Sequence, residues 1–132
     1  MKMTEPILAV MLSSNEERYK ELTRDLKPED VEIDWVITKK ALLEYLQETQ
    51  PQTIILEHPL LGVSLIGTIQ AIHDISKDSK IPILVLSNLE RSRNASILNA
   101  GADDLMEKPF TTTGMVARLK NLVKRYESAQ KQ

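Results

Sequence analysis

A chain of 132 residues, 27% of them charged and 42% apolar, with a formal net charge of −2, is the size of one ordinary soluble globular domain. That balance advertises neither a nucleic-acid surface nor a membrane surface, and no apolar run reaches the ~18 residues of a membrane span. Cysteine is absent, which removes disulfides, thiolate nucleophiles and Cys-ligated metal, and Met1 to Glu5 lack the apolar stretch of a signal peptide, so a cytoplasmic setting is expected.

Short runs rich in Ile and Val alternate with longer segments of helical spacing. Ile7–Leu12 reads as the first strand. Glu16–Leu26 follows as a helix, with Tyr19, Leu22 and Leu26 on one stripe and Ser13 or Ser14 as N-cap. Its Glu16-Glu17-Arg18 run reads as a solvated face. Residues 31–37 form the second strand, where Glu32 and Asp34 alternate with apolar residues and mark a sheet edge on which Trp35 packs. Lys39–Glu48 is the second helix, with Thr38 as cap and Leu42, Leu43, Tyr45 and Leu46 turned inward. Strands are expected at 53–56 and 81–86, both apolar enough to be buried on two faces. Between them, 65–76 carries Ile66, Ile69, Ile72 and Ile75 at helical spacing. A helix over 90–100 closes on Gly101, where positive φ costs little. Asp104–Glu107 is the fifth strand, 113–126 the last helix on Val116, Leu119, Leu122 or Val123, and Tyr126, and 127–132 a frayed polar tail.

Five βα units in strict alternation predict a single α/β domain over 1–132, with its core at about 6–126: a doubly wound parallel sheet with helices on both faces. Ligands of such sheets bind beyond the carboxyl ends of the strands, where the strand order reverses. Those ends read Met11-Leu12-Ser13, Glu57-His58, Ser87-Asn88 and Glu107-Lys108-Pro109. One carboxylate, one hydroxyl and one ammonium converge there. His58 and His73 have no neighbour at metal-ligand spacing.

The stretch from Gly101 to Phe110, Gly-Ala-Asp-Asp-Leu-Met-Glu-Lys-Pro-Phe, resembles the signature around the lysine of response-regulator receiver domains, including its cis lysine–proline bond. The runs from Ile7 to Leu12, Pro51 to Glu57 and Pro82 to Ser87 resemble the family's first, third and fourth strands, and Gly114 to Arg125 its last helix. The likeness runs from about Pro6 to Arg125. It implies a CheY-like, flavodoxin-like sheet of order 2-1-3-4-5, with Glu57 at the phosphoacceptor position, Ser87 at the switch hydroxyl and Lys108 as the retained lysine. Met11 and Leu12 stand where the family has its acidic metal-binding pair, and Leu105 at its aromatic switch position.

The departures from that pattern carry the functional expectation. Met11 and Leu12 offer no oxygen to Mg²⁺, a hard ion that demands oxygen ligands. Glu57 carries its carboxylate one methylene too far for the usual in-line transfer, and Leu105 lacks the aromatic hydroxyl. The resemblance therefore implies a degenerate receiver, a pseudo-receiver, that is not an enzyme, takes no cofactor and binds no Mg²⁺. Its partner is then a protein, a histidine kinase or an output domain, rather than nucleic acid or membrane. The face of the fourth helix, fifth strand and fifth helix is expected to meet it, through Glu90, Arg91, Arg93, Asn94, Asn99, Met106, Arg118 and Asn121, or to pair with a second copy. Two alternatives stand beside this reading: a phosphorylatable receiver with a non-standard site, and a flavodoxin-like sensor of a small molecule.

Overall fold

The computed structural model describes residues 6–60, 62–76, 80–87 and 93–130, with side chains through Glu127. In chain order the elements are β1 (Ile7–Leu12), α1 (Glu16–Leu26), a 3₁₀ turn (Lys27–Glu29), β2 (Val31–Val36), α2 (Lys39–Glu48), β3 (Thr53–Glu57), α3 (Leu65–Ile75), β4 (Ile83–Ser87), α4 (Asn94–Ala100), β5 (Asp104–Glu107) and α5 (Thr112–Gln130). The five strands form one parallel sheet of order β2-β1-β3-β4-β5, as expected.

Local chemistry explains where the helices begin and end. Thr38 and Ser64 cap α2 and α3 with their hydroxyls, accepting from Ala41 N–H and Gly67 N–H at 3.0 Å each. The cap of α1 is Asn15, not Ser13 or Ser14: its Oδ1 accepts from Arg18 N–H at 3.0 Å, while the Ser13 hydroxyl is turned inward. Glu16 and Glu17 in that first turn complement the helix dipole. Pro28 stops α1 in a 3₁₀ turn, and Asp30, at φ 61°, swings the chain into β2. The expected start of α4 at Glu90 lies outside the described residues. Gly101 follows α4 at φ 122°, and a Cβ there would collide with the His73 ring. Helix α5 continues to Gln130 rather than fraying after Tyr126.

The sheet divides the core in two. On the α1–α5 side, Ala9, Met11, Ile33, Ile55, Leu84, Leu86 and Met106 pack against Leu22, Leu26, Met115, Leu119 and Leu122. On the other side, Val10, Leu12, Ile54, Leu56, Ile83 and Val85 meet Leu42, Leu65, Ile69, Ile72 and Ile97. Burying one such side chain fully contributes roughly 1.5–3 kcal/mol, so these layers supply the main drive to fold. Strand β2 is the edge the alternation predicts, with Val31 and Ile33 buried and Glu32 and Asp34 exposed.

Candidate functional site

Pairing of β1 with β3 sets Leu12 opposite Leu56, so Ser13 stands at the level of Glu57 where both strands end. Met11 and Leu12 lie deeper, each almost fully buried, one in each half of the core. The residue that follows β1 and touches Glu57 is Ser13, followed by exposed Ser14. Both serines are neutral, so no acidic side chain is supplied from this strand end.

Glu57 is 3% exposed. Burial of an ionised carboxylate is costly unless its lone pairs are engaged. Here the Ser13 hydroxyl donates to Oε1 at 2.7 Å. Lys108 Nζ meets Oε2 at 2.8 Å, and Arg18 Nε donates to the same oxygen at 3.0 Å. Lys108 Nζ also donates to the His58 carbonyl at 3.1 Å. Burial pushes the Glu57 pKa up. The Lys108 and Ser13 hydrogen bonds, the Lys108 charge and the Arg18 hydrogen bond push it down and prevail, so the carboxyl sits below its ordinary value.

Arg18 was expected on a solvated face. It instead reaches from the second half-turn of α1 to the carboxyl end of the sheet, with its guanidinium carbon 5.0 Å from the centre of the Phe110 ring. Trp35 is also nearer the site than edge packing alone implies. Its ring stacks on Tyr19 with centroids 4.9 Å apart, and its Nε1 donates to the Ser13 carbonyl at 2.8 Å. The Ser13 hydroxyl, besides donating to Glu57, accepts from Asn15 N–H at 3.0 Å.

The remaining expected positions fall as follows. Ser87 ends β4 fully buried, and its carbonyl accepts from Lys108 N–H at 3.0 Å. The Lys108–Pro109 bond is cis, as is His58–Pro59. Leu105 packs against the core on the α2–α4 side. Met106 is 7% exposed and belongs to the opposite half of the core, so it cannot serve as a partner contact. Arg93, Asn99, Arg118 and Asn121 are exposed, and Arg118 is tied to Asp104 at 2.8 Å. Asn94 Nδ2 donates to Glu107 at 3.0 Å. Glu90 and Arg91 lie outside the described residues.

These residues do not fit a divalent metal. Mg²⁺ needs several oxygens at about 2.0–2.1 Å. The Glu57 carboxylate is held by two cations and a hydroxyl. No group of three His, Asp or Glu among the described residues is placed to hold a metal ion. No helix among them is long and apolar enough to cross a membrane.

No protein-family model matches the chain. It is 33% identical over 122 residues to the phosphate regulon transcriptional regulatory protein PhoB of Rhizobium meliloti, a match covering 91% of this chain and 53% of that protein. It is 34% identical over 108 residues to the transcriptional regulatory protein PrrA of Mycobacterium leprae, covering 79% and 44%. The chain spans about half the length of the curated relatives it matches. The receiver domain of sensor histidine kinase PA1611 of Pseudomonas aeruginosa, with a magnesium ion coordinated in its active-site cleft, has the same fold at a TM-score of 0.80 and 15% identity, covering 90% of this chain and 98% of that one.

Proposed function

We propose that the chain is a receiver-like domain of the response-regulator kind that signals by presenting a protein-binding surface, without Mg²⁺-dependent phosphorylation of the acceptor position. The observation that carries this reading is the engagement of Glu57 by two cations and a hydroxyl, with one oxygen on Lys108 and Arg18 and the other on Ser13. Phosphoryl transfer needs a nucleophile in line with the leaving group, and metal to offset the developing charge. The magnesium cleft of the PA1611 receiver domain marks what such a site holds. Here Ser13 and Ser14 end β1 without a carboxylate, and an extended Glu57 side chain already carries negative charge up to the lysine.

In this reading the domain is not an enzyme, takes no cofactor and acts on a protein, a histidine kinase or an output domain. Contact with nucleic acid is not assigned to it. The surface of α4, β5 and α5 offers Arg93, Leu98, Asn99, Arg118 and Asn121, with Leu98 45% exposed, either to that partner or to a second copy.

The test is a titration of ¹⁵N-labelled protein with Mg²⁺ and then beryllofluoride. Unmoved amides at Ser13, Glu57, Ser87 and Lys108 are expected. Shifts at those amides that spread into α4 and α5 would overturn the reading and make the protein a phosphate-responsive switch.

A further inference from the structure

We propose that Arg18 is a built-in cation that takes the electrostatic place of a receiver's divalent metal and locks α1 onto Glu57. The proposal rests on the metal-free reading above and adds which residue does the metal's work. Two positive groups, Lys108 Nζ at 2.8 Å and Arg18 Nε at 3.0 Å, meet one oxygen of one carboxylate. Arg18 thus adds one positive charge beside the retained lysine, and its Nη1 also lies 3.9 Å from Glu21 Oε2. A second cation approaching the same oxygen meets repulsion from both.

The placement of Arg18 is built rather than incidental. Its backbone N–H is held by the Asn15 cap, which fixes the side chain's point of departure. Its guanidinium carbon lies 5.0 Å from the Phe110 ring centre, so the segment after β5 packs against it. Its side chain is 26% exposed, whereas that of Arg24, six residues further along α1, is 74% exposed and paired with its neighbour Asp25. A guanidinium keeps its charge at any pH a protein survives, so the lock holds without a bound ion. It also joins three elements, α1, β3 and the β5–α5 connection, through one side chain.

Two measurements test it. The first introduces carboxylates beside the Glu57 position by Ser13→Asp, Ser14→Asp and Glu57→Asp, and compares that triple variant with the same variant carrying Arg18→Met. Mg²⁺ alone is the probe, read by Trp35 fluorescence. Affinity is expected to rise at least about tenfold when Arg18 is replaced, because an adjacent unit charge is removed. Equal affinity, or no binding in either background, overturns the proposal, since something other than Arg18 then keeps the metal out. The second uses the unaltered chain, so that misfolding of the variants leaves no gap. The Arg18 Nε–H resonance is expected to exchange slowly at neutral pH and to lose that protection in Glu57→Gln. Exchange as fast as that of a free arginine overturns it. Mg²⁺ binding to the unaltered chain, by contrast, tells against the metal-free function itself, so the two failures are distinguishable.

Discussion

Trp35 Nε1 donates to the carbonyl of Ser13 at 2.8 Å, which bonds the edge strand to the residue whose hydroxyl holds Glu57. The sole tryptophan is therefore two hydrogen bonds from the Glu57 carboxylate. Glu57→Gln is expected to shift Trp35 emission and its indole proton resonance, although the side chains do not touch. Trp35→Phe removes a neutral hydrogen bond and is expected to cost about 1 kcal/mol in urea unfolding. An indole resonance indifferent to Glu57→Gln would show that Ser13 does not relay between them.

The pH dependence of stability follows from the lowered Glu57 pKa. An unfolded glutamate titrates near about 4.3, and the folded one lower, so the unfolded state binds the proton first. The stabilisation from Glu57 is thus fully present above that unfolded value and is lost as pH falls through the folded one. Urea midpoints of the natural chain are expected to drop in that acid window, and Glu57→Gln is expected to flatten this part of the profile. At neutral pH the same substitution leaves Lys108 and Arg18 facing a neutral amide, at an expected cost of about 2 kcal/mol, below that of a fully buried pair because both cations are partly solvated.

Gly101→Ala tests the joint between α3 and α4. The φ of 122° disfavours any side chain, and the new Cβ would meet the His73 ring, whose Nε2 lies 3.2 Å from the Gly101 carbonyl. Backbone strain and overpacking together are expected to cost about 3 kcal/mol. Adding His73→Ala removes the collision but not the strain, so thermal melts of the double variant are expected to recover part of the loss.

Arg118 and Asp104 form a bridge at the surface, with side chains 46% and 27% exposed. Pairs of this kind contribute under about 1 kcal/mol, so Arg118→Ala is expected to leave the urea midpoint nearly unchanged. With folding intact, Arg93→Ala/Arg118→Ala is expected to weaken capture of a protein partner. Unchanged capture would remove the α4–β5–α5 face from the functional proposal.

The alternation of elements was plain in the sequence, and so were the strand order and the Glu57–Lys108 meeting once the receiver likeness was recognised. What the sequence did not single out is Ser13. The apolar run of β1 continues through Leu12, and only its pairing with β3 shows that the next residue, Ser13, stands beside Glu57. Arg18 was legible and overlooked. It lies four residues before Leu22 and eight before Leu26, on the stripe that α1 buries, and its acidic neighbours disguised it as solvated. Trp35 shares the parity of Val31 and Ile33, which face α1, so its proximity to Tyr19 was written in the period of β2. Met106 was misassigned for the reverse reason: on a strand of four residues, alternate positions belong to opposite sides of the sheet, and its side is the core.

The two rims of the sheet carry a further consequence, for behaviour at high concentration. A parallel sheet with open rims exposes backbone donors and acceptors that could recruit a strand from another molecule. Here β5 is only four residues long, and β2 carries Glu32 and Asp34 outward. A second β2 laid alongside would bring like carboxylates together, so fibre-like stacking is opposed by charge on one rim and starved of length on the other. Replacing both carboxylates with valine would turn β2 into an unbroken apolar ribbon, and turbidity on concentrating that variant would measure how much of the chain's colloidal stability rests on two exposed side chains of the edge strand.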